Sequence, residues 1–256
     1  NPFMTILVLE RRLTLAVKMW ETGSGYKIIR ILSGRSNAFI VSNGKGCIMV
    51  DSGRKMSWNR LLKRLKNLNI DHIDLLILTH SHFDHAENAR RLKDTYHLKI
   101  LIHKSEADYL RCGNSPLPQG TIVFTRILLK MLARFYQPRV KYQGVECDMD
   151  IGERYDLKPW GYEAYIIHTP GHTQGSMSLI VDDEIALVGD AMVGEIKTSI
   201  FQPYADDVKE TVRSWKKLLD TGCITFLPAH GGVIKRKLVV KEYERYCNKL
   251  SLIETQ

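Results

Sequence analysis

Four side chains able to bind a metal fall within six consecutive positions of the sequence: His80, His82, Asp84 and His85. Imidazole nitrogens and carboxylate oxygens are ligands that zinc, iron and similar ions accept readily. A polar loop in solvent, with Asp84 capping a helix, is the alternative interpretation. That alternative does not explain why so many ligand groups are gathered in one short segment, so the segment predicts a metal site.

The segment directly follows the apolar run Leu75–Leu78, which is typical of a strand buried on both faces. In a turn that leaves a strand, alternate residues can point to the same side. His80 and His82 can therefore converge on one ion, while Asp84 and His85 turn toward a second. The spacing thus predicts that one short turn contributes to two metal positions.

Three further candidate ligands occur much later in the chain, each after a predicted strand and each next to a glycine: His172, Asp190 and His230. Any one of them alone would be a weak signal, because a histidine after a strand is more often a hydrogen-bonded loop residue. All three share the pattern, and the adjacent glycine lets the backbone approach a site closely. We therefore expect all three to join the first segment.

The elements around these residues alternate between strand and helix patterns over 256 residues. Two strand-rich halves, beginning near Tyr26 and Tyr162, are each followed by amphipathic helices, among them Lys55–Leu68. This pattern predicts an α/β or α+β protein of one domain, 1–256. Residues 1–20 are predicted to be a peripheral extension. The stretch Leu117–Arg139 is predicted to be a helical insertion near the site, serving as a lid, as a dimer face or as plain packing.

Composition narrows the function. No apolar run is long enough to cross a bilayer and no signal-peptide pattern occurs, so we expect a cytoplasmic protein without a membrane span. The five cysteines form no Cys-x-x-Cys pair, which argues against a disulfide framework and a thiolate zinc site. The net charge of +9 could favour nucleic acid or an anionic substrate, but the basic residues are scattered over the predicted helices. No Gly-x-Ser-x-Gly motif indicates a serine nucleophile.

Together, the His-x-His-x-Asp-His run and the three later ligands resemble the metallo-β-lactamase-fold hydrolase superfamily. The resemblance covers the chain from about Tyr26 to Gly232. The stretch Thr169–Ser176 is similar to one in glyoxalase II. The aspartate at Asp190 is similar to that branch, to the acyl-homoserine lactonases, and to the phosphodiesterases and nucleases of the superfamily. The resemblance implies a four-layer αββα sandwich with the metal ions at one edge of the sheets.

The resemblance also implies two divalent metal ions, with zinc expected and iron or manganese as alternatives. The residues implied for the first ion are His80, His82 and His172. Those implied for the second are Asp84, His85 and His230. Asp190 would lie between the two ions, and Asp51 would orient the metal loop without binding metal. From the sequence alone, Asp51 could also cap the helix Lys55–Leu68.

The implied activity is hydrolysis of a small ester, thioester or lactone by a metal-bridging hydroxide, because two ions about 4 Å apart can lower the pKa of a shared water. Asp84 and Asp190 are then the catalytic carboxylates. Alternatives within the fold are a phosphodiesterase or nuclease, a β-lactamase-like enzyme and an iron-dependent oxygenase. A binding module without activity would have no reason to keep all seven ligands. We expect a small-molecule substrate, nucleic acid as the less favoured partner, and a homodimer as one option.

Two features depart from the family pattern. Glyoxalase II carries a longer C-terminal helical region that binds glutathione, whereas about 25 residues follow His230 here. This difference puts specificity for glutathione thioesters in doubt. The glycine pair usual after the Asp-His is replaced by Glu87 and Asn88, which leaves the ligands themselves intact.

Overall fold

The computed structural model describes residues 18–116, 120–121 and 140–252. Most of the predicted extension 1–20 lies outside these residues. So does most of the predicted insertion Leu117–Arg139, of which Gly120 and Thr121 are described. Within that insertion, the apolar pattern of Ile122–Tyr136 predicts a helix, and this stretch also lies outside the described residues.

Two sheets carry the strands. The first sheet has seven strands in chain order: β1 (Met19–Glu21), β2 (Lys27–Leu32), β3 (Ala38–Ser42), β4 (Cys47–Val50), β5 (Leu75–Ile77), β6 (Lys99–His103) and β7 (Met149–Ile151). Neighbouring strands pair antiparallel from β1 to β4 and parallel from β4 to β7. The second sheet has six strands, mostly antiparallel, in the spatial order β13-β12-β11-β10-β9-β8. These are β8 (Arg154–Asp156), β9 (Ala164–His168), β10 (Met177–Val181), β11 (Ile185–Gly189), β12 (Thr225–Pro228) and β13 (Ile234–Lys235).

Helices cover the outer face of each sheet. Beside the first sheet lie α1 (Trp58–Asn67, after a 3₁₀ turn at Lys55–Ser57), α2 (Phe83–Ala86), α3 (Ala89–Tyr96) and α4 (Lys104–Cys112). Beside the second lie α5 (Val208–Asp220) and α6 (Arg236–Leu250). Among the described residues, no helix is both long and apolar enough to cross a membrane.

Alternation along the strands sets the order of the layers. In β4, Ile48 and Val50 point into the core between the two sheets, whereas Cys47 and Met49 point to the core under the helices. Trp215 of α5 anchors the corresponding core outside the second sheet, and its indole N–H donates to a backbone carbonyl. A strand with helices on one side and a sheet on the other must be apolar on both faces. The predicted αββα sandwich is confirmed.

The chain from Ala86 to Tyr96, whose sequence pattern predicts one continuous helix, is interrupted at Glu87 and Asn88, which separate α2 from α3. The Asn88 amide donates to the backbone carbonyls of Ser52, Gly53 and Arg54, at 2.8–3.1 Å. The side chain that replaces a family glycine thus fastens the metal loop to the turn after β4.

Candidate metal centre

Three histidines meet through one nitrogen each. His80 Nε2 lies 2.9 Å from His82 Nδ1, and His172 Nε2 lies 3.0 Å from the same atom. The other nitrogen of His82 donates to the carbonyl of Pro116 (3.0 Å), and that of His172 to the carbonyl of Tyr204 (2.9 Å). A carbonyl can only accept, so these outer nitrogens carry the protons and the inner nitrogens of His82 and His172 present lone pairs.

Lone pairs facing one another at 3 Å repel unless a cation lies among them, and this is the arrangement of a histidine metal site. All three rings are buried. Burial, followed by the neighbouring histidines, holds the pKa of His80 and of His82 well below the usual range, so both rings are neutral as metal binding requires.

A second group lies alongside, formed by Asp84, His85 and His230. His85 Nε2 is 3.8 Å from an Asp84 oxygen, and His230 Nε2 is 3.5 Å from the other. His85 Nε2 is fully buried and has no hydrogen-bond partner within the described part of the chain. A buried nitrogen without a partner costs free energy, so this atom also fits a metal ligand.

Asp190 lies between the two groups. Its Oδ1 is 3.5 Å from His85 Nε2, and its Oδ2 is 3.5 Å from His172 Nε2 and 3.3 Å from His230 Nε2. Oδ1 is buried without a hydrogen-bond partner in the described residues. One carboxylate therefore faces histidines of both groups.

Charges in this cluster are mutually compensated. Burial opposes the charged forms of His85 and His230, but nearby carboxylates outweigh it and raise their pKa values to about 10 and about 9. Burial likewise opposes the charge on Asp190, yet His230, His85 and His172 hold its pKa well below its usual range. The pocket is thus built to hold anionic oxygen and positive charge together.

Three sets of three ligand atoms lie within 4.8 Å of one another: His80, His82, His172; His80, His85, Asp190; and Asp84, His85, His230. Their nitrogen and oxygen donors fit divalent zinc, iron or manganese. The structure therefore brings together all seven residues that the sequence singled out, and their roles as ligands remain a prediction.

Asp51 holds the metal loop in place. Its carboxylate accepts hydrogen bonds from the Thr79 backbone N–H (2.8 Å), the Thr79 hydroxyl (3.0 Å) and His85 Nδ1 (2.8 Å). Its backbone is left-handed, with φ at 58°. The alternative interpretation of Asp51 as a helix cap is wrong: α1 starts at Trp58 without a side-chain cap, because the carboxylate is occupied by Thr79 and His85.

Two glycines next to ligands allow close backbone approach. Gly189 precedes Asp190 with φ at 51°, and a Cβ there would lie 2.7 Å from the Thr79 side chain. Gly231 follows His230 with φ at 85°, and a Cβ there would collide with the backbone of Gly194. Both positions need a left-handed backbone and no side chain.

Sequence reasoning missed a buried carboxylate, Glu106 of α4, that ties two metal-bearing loops together. One oxygen accepts from the backbone N–H of Ser81 (3.1 Å) and from its hydroxyl, between His80 and His82. The other accepts from the N–H of Gly175, in the loop of His172 (3.2 Å). Glu106 belongs to no sequence motif, and its role in joining the two loops is visible only in the three-dimensional structure.

The described residues bordering the insertion also contact the site. The Ser115 hydroxyl and the Tyr142 phenol both donate to the Ser81 carbonyl, at 2.5 and 2.6 Å. Within the insertion, Thr121 donates from its backbone N–H to the carbonyl of Pro203, next to the Tyr204 carbonyl that accepts from His172. These contacts hold the histidines in orientation from outside the cluster.

Replacing Glu106 by Gln should loosen both loops, because an amide NH₂ would face a backbone N–H that needs an acceptor. We expect the free energy of unfolding of the protein stripped of metal by a chelator to fall by about 1–3 kcal/mol. We expect kcat/KM of the metal-loaded protein to fall roughly tenfold. Urea unfolding and steady-state kinetics measure the two effects. The exposed Glu163→Gln, which loses only an ion pair with Lys158, is the control. Unchanged values in Glu106→Gln would refute the role.

The four remaining histidines lie outside the cluster. His72 pairs with Asp74 at 3.1 Å, and His97 ends α3 in a left-handed conformation. His103 and His168 stack with ring centres 4.1 Å apart. Nδ1 of His168 faces Glu153 at 3.0 Å and Nε2 faces the Gln174 carbonyl at 2.8 Å. Neither ring nitrogen of His168 is directed at the cluster.

Comparison with known proteins agrees with the fold. The profile of the metallo-beta-lactamase superfamily matches residues 33–230, so the chain belongs to this superfamily. A solved archaeal superfamily protein from Sulfolobus tokodaii is 25% identical, with a TM-score of 0.55 and coverage of 86% of this chain and 82% of that one.

Two curated relatives carry functional names. A probable metallo-hydrolase of Methanocaldococcus jannaschii is 29% identical over 157 residues, 61% of this chain and 67% of the relative. An atrochrysone carboxyl ACP thioesterase of Claviceps purpurea is 28% identical over 203 residues, 78% of this chain. That match spans only 52% of the thioesterase. The chain is therefore similar to a relative named as a metallo-hydrolase and to one named as a thioesterase.

Proposed function

We propose that this chain is a dinuclear metal-dependent hydrolase of a small ester, thioester or lactone. The observation that carries the proposal is the convergence of ring nitrogens from His80, His82 and His172 beside a second group, with Asp190 facing histidines of both groups. The predicted preference for zinc, the cytoplasmic location and the homodimer belong to this proposal.

His80, His82 and His172 would hold one ion, and Asp84, His85 and His230 the other, with Asp190 facing both. When bound, such ions polarise the carbonyl under attack and make a water acidic enough to act at neutral pH. Asp84 has a partly exposed carboxylate (19%), so it can meet substrate and take a proton from an attacking water at its Oδ1. Asp51 and Glu106 hold the ligand loops so that the donors stay preorganised.

A cavity of about 520 Å³ beside His82 supports a carboxyl-type substrate. Its apolar walls include Tyr109, Pro116 and Pro170, which suit an acyl group. The thioesterase among the relatives supports the same substrate class. Phosphodiester hydrolysis is the second candidate, favoured by the net charge of +9.

A substrate panel tests the proposal: zinc- or manganese-loaded protein assayed on acyl thioesters, lactones, aryl esters and a generic phosphodiester. We expect turnover of at least one carboxyl class that is lost on chelation and restored by metal. Turnover of the phosphodiester alone would contradict the proposed substrate class. Activity that survives complete chelation would contradict the metal mechanism.

A further inference from the structure

A basic pocket lies on the other flank of the centre, between the β2–β3 loop and the turn after β4. Its volume is about 410 Å³ and its lining includes Arg35, Arg54 and Arg60, with the exposed Met56 at its side. In contrast, the cavity beside His82 is lined by carboxylates and apolar rings. The two pockets therefore differ in the sign of their charge.

The ion pairing of the pocket arginines differs from that of other arginines in the described part of the chain. Elsewhere, Arg90, Arg111, Arg213 and Arg245 each pair with a neighbouring carboxylate. Within residues 18–116, 120–121 and 140–252, no carboxylate forms an ion pair with Arg35, Arg54 or Arg60. Arg54 Nε is moreover a buried donor without a partner in that part of the chain. A buried donor of this kind calls for an acceptor.

Two more arginines lie behind the pocket and add to its positive potential. Arg64 donates to the Ile31 carbonyl at 2.7 Å, and Arg30 reaches toward the Gly231 carbonyl at 3.4 Å. Burial, then repulsion from Arg60 and Arg30, lowers the pKa of Arg64. The positive charge here is concentrated and not compensated locally, which is a condition for attracting an anion.

The pocket adjoins the metal centre through short contacts. The hydroxyl of Ser36, on its wall, donates to the Asp84 carbonyl at 2.7 Å. The Arg54 guanidinium lies 5.0 Å from the centre of the Phe83 ring, one residue before Asp84. The wall of this pocket is therefore in contact with the loop that carries Asp84 and His85.

The ligand chemistry follows from the guanidinium groups. Arginine presents planar pairs of N–H donors that match phosphate oxygens, and it keeps its charge at any working pH. Building on the proposed hydrolase function, we propose that this pocket binds a phosphate on the leaving-group arm of the ester or thioester, while the acyl group occupies the cavity beside His82.

The opposite cavity argues for a small phosphorylated substrate over a nucleic acid strand. Glu106, Asp207 and Glu210 line it, and their carboxylates already accept hydrogen bonds within the protein. A continuous polyanion crossing the centre would leave the arginines and meet these carboxylates, which repel it. A substrate with one charged end and one neutral end meets no such conflict.

The test measures binding, which is independent of turnover. Coenzyme A and pantetheine, which has the same thiol arm without phosphates, are titrated into metal-loaded protein by calorimetry. We expect coenzyme A to bind at least about tenfold more tightly, because each arginine–phosphate contact is a charge-assisted hydrogen bond. The R35Q/R54Q/R60Q variant should reduce coenzyme A to the affinity of pantetheine.

Two further variants make the result interpretable. R35Q/R60Q changes only two exposed side chains and should lose most of the preference even if the Arg54 substitution impairs folding. Lys63→Gln removes one positive charge from the exposed face of α1 without lining the pocket, and it should leave the preference unchanged. 4′-Phosphopantetheine shows which phosphate the arginines bind. Affinity equal to that of coenzyme A indicates the phosphate attached to the pantetheine arm, and weaker affinity indicates the phosphates of the nucleotide.

Equal affinity for coenzyme A and pantetheine, or a preference that survives R35Q/R54Q/R60Q, would overturn the proposal. Tighter binding of a single-stranded RNA, lost in the same variant, would also overturn it, in favour of a nucleic acid site. A protein that binds coenzyme A through these arginines but hydrolyses no ester, thioester or lactone would refute the hydrolase proposal and leave the phosphate site supported.

Discussion

Asp190→Asn should lower kcat/KM by about 10³-fold and reduce the bound metal from two ions to one per chain. Both carboxylate oxygens of Asp190 face histidines at 3.3–3.5 Å: Oδ1 faces His85 of the second ligand group, and Oδ2 faces His172 of the first group and His230 of the second. An amide keeps the shape but loses the charge and one acceptor, so it cannot serve both sides. The loss of a metal-assisted step worth several kcal/mol corresponds to a rate effect of this order.

Elemental analysis and steady-state kinetics on the same preparation check this result. Asp156→Asn is a matched control, because Asp156 is exposed and accepts a hydrogen bond only from the nearby Lys158 N–H (2.8 Å). It should retain both metal and activity. An Asp190→Asn variant that keeps two ions and full activity would remove Asp190 from the centre.

Asp51→Asn should weaken metal binding by about 10–100-fold and lower kcat by a similar factor, although Asp51 is not a ligand. Its carboxylate accepts from His85 Nδ1 and from Thr79, so an Asn amide group would turn a donor toward at least one of these donors. His85 would then lose the partner that keeps Nε2 free for metal. Excess metal should partly restore the rate, which a purely catalytic role would not predict.

Asp182→Asn is the control for this prediction. Asp182 also has a left-handed backbone, with φ at 61°, and its carboxylate accepts a hydrogen bond from the exposed backbone N–H of Ser24 at 3.2 Å. Asn tolerates that conformation, so neither variant should strain the backbone. If Asp51→Asn binds metal as tightly as the wild type, the positioning role is refuted.

The cluster could be predicted because its strongest signal is local. His80, His82, Asp84 and His85 lie in one turn, and the later ligands each follow a strand that the apolar pattern reveals. Strands β1, β7, β8 and β13 were not predicted, since they have only two or three residues each and no run long enough to show alternation.

The supporting contacts could not be predicted because they join distant parts of the chain. Glu106 bonds to residues 25 and 69 positions away, and His82 bonds to a carbonyl 34 positions away. The arginine pocket could not be predicted either, because its residues come from the β2–β3 loop and from the turn after β4 and match no sequence motif. The sequence left two roles open for Asp51, because a carboxylate shortly before a helix can cap that helix or orient the metal loop.

The most direct test of the central claim is the metal stoichiometry of the wild type and of His230→Ala. Protein is stripped with chelator, reconstituted with zinc, and analysed for bound metal per chain. We expect two ions in the wild type and one in His230→Ala, because His80, His82 and His172 remain intact in the variant. One ion in the wild type, or two in the variant, would contradict a two-metal centre built from these residues.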